Sequence, residues 1–306
     1  MAMADPQEGI VQHSFISPDQ LSVRNILMAT DLSECSERAL SCALGVASRY
    51  QSRLHLFHCI DPIPYDMVDP GAVQTTRDDA KSELERLISG FRKQDRLKNV
   101  EVHIKVEAGD LAGIFPDIVK DLHPDLIVVG THGRTGWRKM VLGSVAEIIV
   151  DQSSCPVLTV GPSADRPRMQ EFGPQSILLA NVAPTRSALA ESYALSLARK
   201  YGSQLHTVDG REKEWSRVTA NGLEYEAPET ERRDATFDIA LSGPQHSPAD
   251  SGVQSDLILS VAHQIAADLI VLSVPGGHRF ADRFLSTNPY RVLCDSPCPV
   301  LTVHAR

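Results

Sequence analysis

Gly130-Thr131-His132-Gly133 is followed, after nine intervening residues, by Gly143-Ser144, a spacing of G-x2-G-x9-G-S. Glycines let a backbone turn sharply and approach a ligand with no Cβ in the way. A helix starting at Gly143-Ser144 offers free N–H groups and the positive end of its dipole, worth roughly 0.3–2 kcal/mol toward an anion. Ser144 adds a hydroxyl donor, and Arg134, Arg138 and Lys139 place positive charge in the same loop. This is chemistry for phosphate. Three glycines can also serve as ordinary turns, but together with Ser144 at the start of a helix they favour a ligand. His132 has no acid or nucleophile tied to it by spacing, so it reads as a loop residue rather than a base. Trp137 packs the loop or meets a partner surface.

Other chemistries lack their residues. The chain has no G-x4-G-K-[ST], no lysine-anchored Mg2+ site, no G-x-G-x-x-G after its first strand and no G-x-S-x-G elbow. No pair of general acid and base stands out. The six cysteines (Cys35, Cys42, Cys59, Cys155, Cys294 and Cys298) form no C-x-x-C pair. They read as small buried hydrophobes in a reducing compartment rather than zinc ligands. His55 and His58 lie on an alternating segment and read as core or surface histidines.

The loop must be held by a regular frame. Ile26-Leu27-Met28-Ala29 is a short apolar run, as expected for a strand buried on both faces. Ser33 with Glu34 and Glu37 supplies a helix cap and first-turn acids, and Ala39, Leu40, Ala43, Leu44 and Ala47 recur at helical spacing. Arg53 to Ile60 reads as a strand, Thr75 to Phe91 as an amphipathic helix and Val100 to Val106 as a strand. Leu111 to Leu122 reads as a helix, Leu126 to Val129 as a buried strand, Ser144 to Asp151 as a helix, and Val157 to Val160 as a closing strand. Strands alternating with helices at this spacing predict a parallel sheet covered on both faces.

The frame occurs twice. Asp125 to Val160 recurs as Asp268 to Val303, with DLIV at one end and CPVLTV at the other, at an offset of 143 residues. Arg24 to His55 recurs as Gln175 to His206 at an offset of 151 residues. The shortfall of 8 residues lies around Asp209 to Pro248, where polar, proline-containing text replaces a clean second helix. Gly161 to Pro174 carries three prolines and two glycines and reads as a linker. The expected division is an N-terminal extension over 1–23, domains over 24–161 and 175–306, and a linker over 162–174.

With the glycine motif set between a buried strand and a helix, and CPVLTV closing each copy, the chain resembles the universal stress protein family over nearly its whole length. The resemblance implies two tandem α/β, doubly wound domains. Each would be a five-stranded parallel sheet of order 3-2-1-4-5, Rossmann-like and akin to the adenine nucleotide alpha hydrolases. It also implies binding of ATP or AMP, with or without Mg2+. Carried over, the adenine and ribose contacts fall on Asp31 at the end of strand 1, flanked by Ala29 and Thr30, with Cys59 at the end of strand 2. Gly130 falls near the ribose, Gly133, Gly143, Ser144 and Val145 near the phosphates, and His132 within the same loop. Asp31 could equally cap the first helix. Ala146 departs from the pattern, standing where nucleotide-binding members often carry a hydroxyl.

The second copy loses this set. Gly130 maps to Ser273, Gly143 to Ser286, Asp31 to Val182, His132 to Pro275 and Lys139 to Asp282, while Gly133 is kept as Gly276. A valine accepts no ribose hydrogen bond. The second domain is therefore expected to be a degenerate partner. The resemblance implies that its last strand pairs with that of the first domain inside one chain, as family dimers do between chains, with a further homodimer also open. Lys and Arg number 30 against 39 Asp and Glu, a net charge of −9, which argues against nucleic-acid and anionic-membrane partners. No apolar run approaches a bilayer span, and the first 23 residues lack a basic and an apolar signal region, so a cytoplasmic location is expected. Three functions fit: a nucleotide-binding stress regulator, a nucleotide-independent interaction module, and a weak ATPase or nucleotidyl transferase.

Overall fold

The computed structural model describes residues 21–60, 70–97, 99–132, 142–164, 173–181, 187–209, 214–218, 225–226, 251–275 and 289–305. In the first half, β1 (Asn25–Ala29), α1 (Glu34–Tyr50), β2 (Arg53–Ile60), α2 (Pro70–Lys93) and β3 (Glu101–Ala108) are followed by α3 (Leu111–Leu122), β4 (Leu126–Gly130), α4 (Ser144–Gln152) and β5 (Val157–Val160). The second half contains β6 (Ser176–Asn181), α5 (Ala188–Tyr201), β7 (Gln204–Asp209), β8 (Glu214–Val218) and β9 (Tyr225–Glu226). It continues with α6 (Ser251–Gln264), β10 (Leu269–Pro275), α7 (Pro289–Asp295) and β11 (Val300–Ala305).

Each element forms for a local reason. The Ser33 hydroxyl accepts from the Ser36 amide and caps α1, whose Ala39, Leu40, Ala43, Leu44 and Ala47 are buried along one face. The carboxylate of Asp110 caps α3 by accepting from the Gly113 amide. The aspartate that opens both DLIV segments is structural. Asp125 accepts from the Arg24 and Asn25 amides at 2.7 and 2.9 Å, and Asp268 from those of Gln175 and Ser176 at 2.9 and 3.2 Å. Each carboxylate thus ties the start of one strand to the start of its neighbour, which sets the register. The pairs Ile26↔Leu126 and Ile177↔Leu269 follow.

All strands belong to one sheet of order β3-β2-β1-β4-β5-β11-β10-β6-β7-β8-β9. The first half is parallel throughout in the order 3-2-1-4-5. The second half keeps the doubly wound arrangement across β11-β10-β6-β7, but one detail differs from the expected five parallel strands. Its next strand, β8, runs antiparallel to β7, and β9 runs antiparallel to β8. Residues 210–213 alone separate β7 from β8. A parallel crossover needs about ten residues or more, usually a helix, so so short a link returns the chain antiparallel.

The halves meet at β5 and β11, which pair antiparallel with Val157↔Thr302, Leu158↔Leu301 and Thr159↔Val300. At the 143-residue offset Leu158 faces its own counterpart, and the flanking pairs exchange places. This is the signature of a two-fold axis, here inside one chain. Equivalents at the 151-residue offset meet on one face of the sheet. Tyr50 and Tyr201 pack edge to face with centroids 6.5 Å apart, the Arg49 guanidinium lies 5.6 Å over the Tyr201 ring, and the Lys200 ammonium 5.1 Å over the Tyr50 ring. A cavity of about 30 Å³ lies beneath, lined by Val46, Leu158, Leu197 and Leu301 among others. Its lining is almost wholly apolar.

Among the described residues no helix is long and apolar enough to cross a membrane, and no group of three or more His, Cys, Asp or Glu could hold a metal. Burial pushes the thiols of Cys42, Cys155 and Cys294 up to about 12, which makes them poor nucleophiles.

Three imidazoles make stability depend on pH. His55, His132 and His304 are held below the ordinary histidine value, in each case chiefly because burial disfavours the charged form. His55 also stacks on His103 with centroids 5.3 Å apart, which adds repulsion when both carry protons. The unfolded chain therefore takes up protons that the folded chain refuses. The stability these groups contribute is complete above the unfolded value near 6.5 and is lost as pH falls through it toward the lowered folded values. The urea midpoint is expected to be level from pH 8 to 7 and to decline between 6.5 and 5. A level midpoint across that lower window would refute the assignment.

Candidate functional site

Strands β1 and β4 lie side by side, with Ala29 opposite Val129. From β1 the chain passes through α1 to β2 on one side, and from β4 through α4 to β5 on the other. A crevice outside the carboxyl ends of two strands whose connections diverge is where open α/β sheets take ligands. Asp31, Thr131, His132 and the start of α4 all stand at this end.

The β1 side is a dense hydrogen-bonded loop. Asp31 accepts at Oδ1 from the Ser33 amide at 3.0 Å and from the Ser36 hydroxyl. Thr30 is buried, donates its amide to the Phe57 carbonyl at 2.9 Å, and accepts at Oγ1 from the Leu32 amide at 3.0 Å. Its carbonyl lies 2.7 Å from Nδ1 of His58. These bonds hold Leu32 at a φ of 63°, a left-handed conformation that costs a non-glycine residue about 1–2 kcal/mol. Ala29 is buried at 2%, its side chain packed in the core. Ser33, not Asp31, is the helix cap; Asp31 organises the turn before it.

The β4 side is joined to this loop and to α4. The Ser33 hydroxyl donates to the His132 carbonyl at 3.4 Å. The Gly143 amide donates to the Thr131 carbonyl at 2.8 Å, which brings the two ends of the glycine motif together. Thr131 is fully buried, and its Oγ1 lies 2.9 Å from Nδ1 of His132. The other ring nitrogen of His132, Nε2, is buried without a hydrogen-bond partner among the described residues. Gly130 lies tight against α1: a Cβ there would sit 3.2 Å from the Cys35 carbonyl carbon and the Ser36 amide nitrogen. The first turn of α1 therefore rests directly on the end of β4.

Gly143 caps α4 in extended conformation with no side-chain hydrogen bond. Among the described residues no carbonyl accepts from the amides of Ser144, Val145 and Ala146, which leaves donors for an anion. Ser144 is exposed, Val145 half-buried, and the Ala146 side chain is buried at 1% in the core. The hydroxyl missing at Ala146 thus concerns a position whose side chain faces inward. Cys59 donates Sγ–H to the Gly109 carbonyl at 3.3 Å, at the β2–β3 end of the crevice. Gly133 and the basic residues Arg134, Arg138 and Lys139 lie outside the described residues.

The equivalent place in the second half is built differently. α5 is capped by Ser187, the counterpart of Ser36, so this helix starts three residues later than α1. Pro184 stands where Ser33 caps α1, and a proline has no hydroxyl to do so. Ser273, at the Gly130 position, is fully buried, and its hydroxyl has no partner among the described residues. Val182, Gly276, Asp282 and Ser286 lie outside the described residues.

Sequence reasoning missed Ser33, Ser36 and Thr131 as organisers of the crevice. The T-D-L-S-x-x-S run was the available signal, since hydroxyls two and five residues after an aspartate suit a turn of this kind. The family model described as the universal stress protein family matches residues 22–161 and again residues 175–304. The chain belongs to the universal stress protein family. A universal stress protein of Methanocaldococcus jannaschii is 26% identical over 151 residues, covering 49% of this chain and 89% of the relative. A Staphylococcus epidermidis protein named for the same family is 33% identical over 144 residues, covering 46% of this chain and 85% of the relative. Among solved structures, a universal stress protein from Archaeoglobus fulgidus matches with a TM-score of 0.61 at 19% identity, covering 92% of this chain and 98% of that one. A functionally unknown protein from Pseudomonas aeruginosa matches with a TM-score of 0.53 at 18% identity, covering 92% and 93%. These two structures share the tandem fold, and their likeness extends no further than the fold.

Proposed function

We propose that the first half binds one adenine nucleotide, ATP or AMP, and that the chain acts as a nucleotide-responsive regulator in the stress response. The observation that carries this reading is the convergence of Asp31, the Thr131-His132 turn and the uncapped start of α4 on one crevice. The parts suit the ligand. The α4 amides with Ser144 would receive phosphate, and the Gly130 approach keeps the floor free of side chains. Asp31 would receive the ribose while Oδ1 holds the turn, since a carboxylate accepts at about four sites. Mg2+ would arrive with the phosphates rather than at a cage of protein ligands. A universal stress protein of solved structure is in complex with cAMP; at 22% identity and a TM-score of 0.34 that is a property of that protein alone.

The second half would serve as a built-in partner that closes the sheet edge at β5. Support comes from the Leu158↔Leu301 register and from the later start of α5, capped by Ser187. An unpaired β5 would expose a row of amides and carbonyls to other chains.

Calorimetry of the intact chain with ATP, AMP and NAD tests the reading. One adenine-nucleotide site per chain is expected. Asp31→Asn, which keeps an acceptor for the turn but removes the charge, is expected to weaken binding about tenfold, as for loss of a charged hydrogen bond. Gly276→Val in the second half should leave affinity unchanged. No binding below millimolar would sink the proposal in favour of an interaction module, and two equivalent sites would sink its one-sided form.

A further inference from the structure

The cavity between the halves lies away from the crevice. It takes in Asp125 and Leu126 at the start of β4, whereas the crevice lies beyond the end of that strand. Val46, Tyr50 and Leu158 line it from the first half, and Leu197 and Leu301 from the second. Asp125 is the one carboxylate in the lining, and its Oδ2 already accepts from the Arg24 and Asn25 amides. The volume of about 30 Å³ has room for roughly two or three methylene-sized groups, since one water needs about 10–15 Å³. Two cations stand beside this apolar space. Arg49 and Lys200 are both exposed, the guanidinium 5.6 Å over the Tyr201 ring and the ammonium 5.1 Å over the ring of Tyr50, which itself lines the cavity. Arg49 donates to the Lys200 carbonyl at 2.7 Å, which draws the two residues together. Among the described residues neither meets a carboxylate, although the whole chain carries a net charge of −9. The Tyr50 hydroxyl is buried and has no hydrogen-bond partner among the described residues, an uncommon state for a donor.

We infer that this seam is a second ligand site, for a short-chain carboxylate, with a tail of about three carbons against Leu158, Leu197 and Leu301 and its head at Arg49 and Lys200. The two requirements are separate. A neutral molecule of the same length fills the apolar space but leaves both cations without a counter-charge. A carboxylate with no tail meets the cations but leaves the apolar space empty. The short-chain acid satisfies both, through burial of its methylenes and through charge-assisted hydrogen bonds at the rim. Its carboxylate also brings an acceptor to the side of the cavity where the Tyr50 phenol has none. Bound there, the ligand touches both halves at once, so occupancy stabilises their union by mass action. The site needs no nucleotide and stands apart from the function proposed for the crevice.

The test titrates the full-length chain with butyrate, acetate and butanol, followed by ligand-observed NMR. Butyrate should bind in the millimolar range and about tenfold more tightly than acetate, as for two buried methylenes. It should also bind about tenfold more tightly than butanol, as for a hydrogen bond to a charged group. Joint replacement by Arg49→Gln and Lys200→Gln should abolish the preference for butyrate over butanol, and both side chains are exposed, so the fold should persist. Saturating ATP should leave butyrate binding unchanged. Absence of millimolar butyrate binding would overturn the inference, as would equal affinity for acetate and butyrate. A preference for butyrate over butanol that survives the double replacement would overturn it as well. Displacement of butyrate by ATP would place the acid in the crevice instead and refute the second site.

Discussion

Gly130→Val is expected to lower the unfolding free energy by about 2–3 kcal/mol, the usual cost of overpacking a tight contact. It is also expected to weaken adenine-nucleotide binding by well over tenfold. Even a bare Cβ would stand 3.2 Å from two backbone atoms of α1, and backbone in a capped helix turn cannot swing aside as a side chain can. The first turn of α1 must lift from the end of β4, and with it go the Ser33 bond to His132 and the Ser36 bond to Asp31. Stability and binding should fall together because one contact supports both. Gly90→Ala is the control: nothing lies within 4 Å of a Cβ there, in the exposed interior of α2. That change should raise stability by about 0.5–1 kcal/mol from helix propensity and leave binding unchanged. Equal stability of wild type and Gly130→Val in urea titration would show that the α1–β4 contact is not tight.

Leu158→Ala carries the second large effect. Leu158 is 1% exposed, faces Leu301 on the pseudo-two-fold and borders the 30 Å³ cavity, so truncation enlarges an existing void. A loss of about 3–4 kcal/mol is expected, within the range for a buried leucine whose surroundings collapse only partly. The thermal midpoint should drop by about 6–12 °C. Leu301→Ala should cost a similar amount, and the double variant less than the sum, because the two side chains share one contact and one cavity. Strict additivity in calorimetric unfolding would show that the two leucines do not share that contact. Leu158 belongs to a different core cluster from Leu142 and Ala146 at the start of α4, so this core defect should reduce stability far more than affinity.

Much of the frame was legible in the residues. Arg53–Ile60, Leu111–Leu122 and Val157–Val160 are bounded in the structure as their patterns predict, because burial on both faces, capping and helical spacing are local properties. The duplicated DLIV and CPVLTV segments revealed two halves, and Asp125 and Asp268 show why the aspartate recurs: each ties two strand starts together. The β8–β9 hairpin was not legible. Its text is polar and carries no clear period, and its antiparallel course follows from a connection too short for a helix.

Of the crevice, the sequence by itself determined the glycine spacing, the serine at a helix start and the loss of these in the second copy. Glycine, proline and aspartate act through their own backbone and side-chain chemistry, which is written one residue at a time. The tertiary structure alone decided that a Cβ at Gly130 would press on the first turn of α1 and that the Ser33 hydroxyl reaches the His132 carbonyl. Those facts depend on which surfaces meet, and segments nearly a hundred residues apart meet only when the sheet brings β4 under α1.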